Sequence, residues 1–150
     1  MYQTILVPLD GSKRAETILP HVEEMAGRYG AKVVLLKVDE PEVLLEWDEV
    51  IDIDKYKEER ARQRKGTESY LASIQKKLRG KGIETQILVK YSSLVIKEIL
   101  STAESVGADI LAMASHGQSG ATRTFYGSIA AGVLSNIDRP LLLIRSRLVA

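Results

Sequence analysis

Five short apolar runs recur along the chain, each separated from the next by a stretch with the three- and four-residue spacing of a helix. The runs are Thr4–Leu9, Val33–Val38, Glu84–Tyr91, Asp109–Ala114 and Leu141–Arg145. Near-continuous apolar character suits strands buried on both faces, and the third run, which alternates at Thr85, Gln86 and Ile87, suits an edge. A helix between two such strands is a βαβ unit with a right-handed crossover. The repeating order β-α-β-α-β-α-β-α-β therefore predicts an α/β fold, an open doubly wound parallel sheet with helices on both faces.

The helical stretches carry their own punctuation. Ala15, Ile18, Leu19, Val22, Met25, Ala26 and Tyr29 form the first stripe, with Pro20 inside it. That proline is expected to bend the helix or leave one backbone bond unmade. Pro8 cannot donate to a ladder and is expected to mark the end of the first strand. A long helix is expected over 54–79. Its first half is charged and reads as a solvated face, while its second half has a stripe at Tyr70, Leu71, Ile74 and Leu78. Residues 42–53 mix Val43, Leu44, Leu45, Trp47, Val50 and Ile51 with acidic residues, and read as a short amphipathic helix or a flap. Trp47 is expected to pack on the domain.

With 150 residues, 45% of them hydrophobic, one domain spanning 1–150 has enough apolar material for a core. The formal charge of +1 does not favour nucleic acid as a partner. Cysteine is absent, which removes disulfides, thiol catalysis and thiolate metal sites. No apolar run approaches the ~20 residues of a membrane span, and no signal peptide is visible, so a cytoplasmic protein is expected. Two histidines, His21 and His116, give little support to a metal cluster or a Ser–His–Asp triad. A Walker loop is also missing. No enzymatic constellation emerges from these residues.

In doubly wound sheets, ligands bind beyond the carboxyl ends of the strands where the strand order reverses. With order 3-2-1-4-5, the loops flanking that point are Asp10-Gly11-Ser12 and the stretch from Ala114 to Ser128. A carboxylate suits ribose hydroxyls or a ligand-bound metal ion. Small residues before a helix N-terminus let a phosphate approach unpaired N–H groups. A nucleotide needs both. Plainer readings stand beside these: Asp10 as a helix cap, Gly117 and Gly127 as turn glycines, Lys13 and Arg14 as an exposed helix face.

Val7-Pro8-Leu9-Asp10-Gly11-Ser12, Met113-Ala114-Ser115-His116-Gly117, Gly127-Ser128 and Arg139-Pro140-Leu141-Leu142-Leu143-Ile144 together resemble the universal stress protein family, over essentially the whole chain except the variable stretch 40–66. The nucleotide-binding signature of that family, Gly-x2-Gly-x9-Gly-Ser/Thr, reads here Ala114-x2-Gly117-x9-Gly127-Ser128. The resemblance implies a 3-2-1-4-5 sheet of the adenine nucleotide alpha hydrolase-like kind, with ATP, alone or with Mg2+, on its C-terminal edge. It implies that Pro8, Leu9 and Asp10 lie near the adenosine and that the backbone of Val38 meets the adenine. Ala114, Gly117, Gly127, Ser128 and Ile129 would surround ribose and phosphates, with Ser115, His116 and Gln118 beside the phosphate path. It further implies a homodimer through the fifth strand, Leu141 to Arg145, and a role in stress response. Three departures stand out. Ala114 replaces the first signature glycine, Gln118 stands where many relatives carry arginine, and Ser93 and Val95 occupy a frequent Gly-x-Pro. Arg123 is a candidate replacement for the missing cation. A bound nucleotide is expected to order 40–55 as a flap.

Overall fold

The chain builds one five-stranded sheet in the order β3-β2-β1-β4-β5, parallel at every neighbouring pair. A computed structural model describes residues 1–41, 53–115 and 127–146. The strands are β1 (Thr4–Leu9), β2 (Lys32–Asp39), β3 (Thr85–Tyr91), β4 (Ile110–Ser115) and β5 (Leu141–Arg145). The helices are α1 (Leu19–Tyr29), α2 (Ile53–Gly80), α3 (Val95–Ser105) and α4 (Gly127–Asn136). The expected element order, strand order and edge position of the third strand all hold.

Alternation along the strands splits the core in two. On one face Ile5, Val7, Leu9, Val33 and Leu35 pack with Val22 and Ala26 of α1 and Leu71, Ile74 and Leu78 of α2. On the other, Leu6, Val34, Leu36, Leu111 and Met113 pack with Ile99 and Ala103 of α3 and Ala130 and Val133 of α4. Helices thus lie on both faces. α3 and α4 approach closely because position 132 lacks a side chain: a Cβ on Gly132 would stand 2.2 Å from Ile96 Cδ1 and 3.0 Å from its Cγ1.

Pro20 behaves differently from expectation. The chain first makes a 3-10 turn over Ala15–Ile18, and α1 begins only at Leu19, with Pro20 in its opening positions. There a missing N–H is harmless, since the first amides of a helix have no intrahelical partner. No bend is needed, because the α-helix starts at the proline instead of running through it.

Two polar devices square the N-terminal ends of the strands. Asp109 Oδ2 accepts from the backbone N–H of Gln3 and of Thr4, both at 2.8 Å. Arg139 Nη1 donates to the carbonyls of Ala103 and Ala108, each at 2.9 Å, and so satisfies acceptors around the C-terminal end of α3. Both bind elements far apart in sequence at the edge opposite the predicted site.

Candidate functional site

The opening at the C-terminal edge is written into the hydrogen-bond directions of β1. Lys32 N–H donates to the carbonyl of Gln3, and Asp109 N–H to that of Thr4, both at 2.9 Å. Odd residues of β1 therefore turn their peptide groups to β2 and even residues to β4. Toward β2 the register runs from Thr4↔Lys32 to Leu9↔Lys37; toward β4 it holds only Ile5↔Ile110 and Leu6↔Leu111. The next even residue is Pro8, which has no N–H. So the proline ends the pairing on one side only. Toward β4 the ladder stops, whereas toward β2 the strand continues through Leu9, one residue beyond the expected end.

The same bookkeeping of directions fixes what faces this gap. Val33 N–H donates to Glu84 O at 2.8 Å, so odd residues of β2 face β3 and even ones face β1. Val38 lies one residue past the last β1 pair, and its peptide carbonyl is directed to the β1 side, where that chain has turned away at Asp10. In β4, Leu111 N–H donates to Pro140 O at 3.0 Å, and Ser115 O accepts from Ser146 N–H at 3.2 Å. Within β4 the odd residues thus face β5, while Ala112 and Ala114 face β1; Asp109, whose N–H reaches Thr4, precedes the strand. Ser115 is 2% exposed and its hydroxyl donates to Ile144 O at 3.3 Å. Its side chain is engaged with β5, on the far side of β4 from the gap.

The turn after β1 is held by its own side chains. Asp10 Oδ1 accepts from Ser12 N–H at 2.8 Å, and Ser12 Oγ from Ala15 N–H at 3.1 Å. Asp10 itself is exposed. Gly11 sits at φ +89, a backbone region that side chains disfavour, and a Cβ there would lie 3.6 Å from Lys37 Cε.

Lys37 belongs to a polar cluster that the sequence reading missed. Its Nζ lies 2.6 Å from Asp39 Oδ1, which also accepts from Thr67 Oγ1 of α2 at 2.7 Å. Asp39 is only 2% exposed, so the lysine neutralises a buried carboxylate. Beside it, Tyr70 donates to Glu16 Oε2 at 3.0 Å. Burial, and then that hydrogen bond, hold the Tyr70 phenol above its usual pKa. The signal was present in the sequence: Lys37 and Asp39 are opposite charges at a spacing of two, just after the apolar run Val33 to Leu36, which puts both on one face of the strand.

At the other side of the gap α4 begins. Gly127 is buried with φ +69, Ser128 is exposed and Ile129 half-buried. The first N–H groups of α4 have no intrahelical acceptor. A groove of about 710 Å³ opens beside this turn, with Glu40, Ser93, Leu94, Val95, Leu100 and Ile129 in its lining. His116, Gly117, Gln118, Arg123 and Trp47 lie outside the described residues, as does most of the expected flap. Pro8, Leu9, Val38 and Ala114 lie at the C-terminal ends of β1, β2 and β4, Asp10 in the turn after β1, and Gly127, Ser128 and Ile129 open α4. Among the described residues no group of His, Cys, Asp or Glu could hold a metal ion, and no helix is long and apolar enough to cross a membrane.

Comparison with known proteins gives one consistent picture. The model of the universal stress protein family matches residues 1–145. The universal stress protein MJ0577 of Methanocaldococcus jannaschii is 27% identical, with the match covering 98% of this chain and 97% of that one. The solved structure of MJ0577 superposes with a TM-score of 0.83 at 25% identity, covering 99% of both chains. A universal stress protein from Archaeoglobus fulgidus, solved in complex with dAMP, superposes at 0.63 with 23% identity, covering 95% of this chain and 98% of that one. Another, solved in complex with cAMP, superposes at 0.69 with 17% identity, covering 97% and 98%.

Proposed function

Since the chain belongs to the universal stress protein family, we propose that it binds an adenine nucleotide, ATP with or without Mg2+, in the gap between β1 and β4. We further propose that it acts as a homodimeric, cytoplasmic stress-response regulator. The observation that supports the nucleotide reading is that three different chemistries belong to the C-terminal edge of the sheet and the helix that follows β4: an exposed carboxylate at Asp10, the carbonyl of Val38 beyond the last β1 pair and the N-terminus of α4. The Val38 carbonyl suits the amino group of adenine, Asp10 suits ribose hydroxyls or a nucleotide-bound cation, and helix amides suit phosphate. Pro8, Leu9, Ala114 and Ile129 supply walls. Gly117, Gln118 and His116 extend the phosphate path by family resemblance, and Ser115 contributes through its backbone. Two family members of the same fold were solved with adenine nucleotides bound, cAMP in one and dAMP in the other.

Hydrogen bonds to charged groups contribute about 1.5–3 kcal/mol each. Three or four of them bring binding into the micromolar range, about −8 kcal/mol. The partner in the homodimer meets β5, whose outer edge carries Leu141, Leu142, Leu143 and Ile144.

Calorimetric titration with ATP and Mg2+ tests the site, on the wild type and on the variant carrying Gly127→Val and Ser128→Ala. Binding by the wild type and its loss in the variant is the expected result. A wild type that takes up no nucleotide points instead to a nucleotide-free structural dimer, in which the methyl of Ala114 fills space that a glycine leaves open.

A further inference from the structure

Pro8 sits in the central strand of a parallel sheet, a place from which proline is normally excluded because it cannot supply a ladder hydrogen bond. Its position tells which bond is missing. Along the β1–β2 and β4–β5 ladders the donor reaches the residue just before its register partner: Lys32, opposite Thr4, donates to Gln3, and Leu111, opposite Leu141, donates to Pro140. Continuing the Leu6↔Leu111 register, residue 8 stands opposite Met113, and the acceptor for its N–H is the carbonyl of Ala112. Ala112 is fully buried at 0% exposure. An N–H at position 8 would face that carbonyl and could extend the β1–β4 ladder by one bond.

We propose that Pro8 is a positioning residue whose missing N–H holds β1 and β4 apart at their C-terminal ends, keeping the sheet open for the ligand. The pairing to β2 is unaffected, because the proline's peptide direction falls on the β4 side and Leu9 still pairs with Lys37. The sheet is thereby unlatched at one seam only. For its ligand this rests on the nucleotide reading given above; for its ladder it does not. A rigid proline serving shape alone has a different signature, since its replacement loosens the strand without creating a new protected amide.

The test uses the full chain, isotopically labelled, in three forms: wild type, Pro8→Ala, and a form with lactic acid at position 8. Lactic acid matches alanine but has an ester oxygen in place of the N–H. In Pro8→Ala the new amide is expected to exchange as slowly as its β1 neighbours. ATP binding is expected to weaken about tenfold, because one ladder bond must open whenever the ligand enters. The lactic acid form shares the alanine methyl and differs only in lacking the donor, so it is expected to bind ATP about tenfold more tightly than Pro8→Ala. A freely exchanging amide at position 8, an unchanged affinity in Pro8→Ala, or a lactic acid form as weak as Pro8→Ala each overturn the inference while leaving the nucleotide site intact. A wild type that binds no ATP overturns the nucleotide reading, and the gating falls with it.

Discussion

The two edges of the sheet are alike in topology and opposite in chemistry. β3 has Gln86 and Lys90 exposed, and its ends are tied down by α2. Gln75 Nε2 and Arg79 Nη2 both donate to Thr85 O, at 2.9 and 3.1 Å. At the other end Arg60 lies 3.9 Å over the Tyr91 ring, and the hydroxyls of Tyr56 and Tyr91 are 2.7 Å apart. β5 has Leu141, Leu142, Leu143 and Ile144, all half-buried, with charge only at Arg145. An edge strand left apolar invites another strand, and charged or covered edges refuse one. One edge of this domain is therefore closed and the other suited to the proposed partner.

The cover on β3 depends on an anchor, and breaking that anchor has the largest expected effect. Lys37→Met leaves Asp39 buried without its counter-charge, which costs about 3–5 kcal/mol. Urea unfolding should show a midpoint lowered accordingly, with β3 and α2 amides losing protection first. The converse experiment closes the open edge. Ser146 N–H donates to Ser115 O, so even residues of this stretch face β4 and Leu143 turns its N–H outward. Leu143→Pro thus spares the β4–β5 ladder while removing a donor from the free edge. The proposed dimer should weaken about a hundredfold, roughly 2.7 kcal/mol by the conversion of affinity to free energy, as read by sedimentation equilibrium.

Smaller effects sharpen the contrast. Gln75→Ala together with Arg79→Ala uncovers the Thr85 carbonyl and should cost about 1–2 kcal/mol, since both side chains work near the surface. If self-association through β3 then appears in sedimentation, those caps guard the edge as well as steady it. Least of all is Tyr70. Its phenol is held protonated above the ordinary tyrosine range, chiefly by burial and then by Glu16. The stability this supplies is fully present below about pH 10, the unfolded value, and is lost as the pH rises toward the higher folded value. Tyr70→Phe should flatten that alkaline decline in a thermal melt series.

The fold was legible because its signals are local: an apolar run reads as a buried strand wherever it lies, and five of them alternating with helical stripes leave few arrangements. What stayed hidden depends on register. Pro8 could be seen to lack a donor, but which neighbour loses it follows only from the Gln3 and Thr4 hydrogen bonds. Family resemblance puts Ser115 beside the phosphate path, and only the β4–β5 register shows that its hydroxyl donates to Ile144 O. Lys37 was read only as part of the second strand, and its cluster needs Asp39 at the strand's end and Thr67, 28 residues beyond Asp39. Pro20 was misread because helical spacing does not distinguish a 3-10 entry from an α-helix already under way.

The pairing of β1 with β4 has a consequence in time. Thr4 and Asp109 are 105 residues apart, while β1 meets β2 and β2 meets β3 at much shorter range. A chain made from its N-terminus completes β1, α1, β2, α2 and β3 before any part of β4 has been synthesised. Contacts across such a separation form late, after the loop between them has closed. The seam between the early and late halves of the molecule is the two-pair ladder at which the gap opens, so a ligand bound there would tie together parts of the chain made far apart in time.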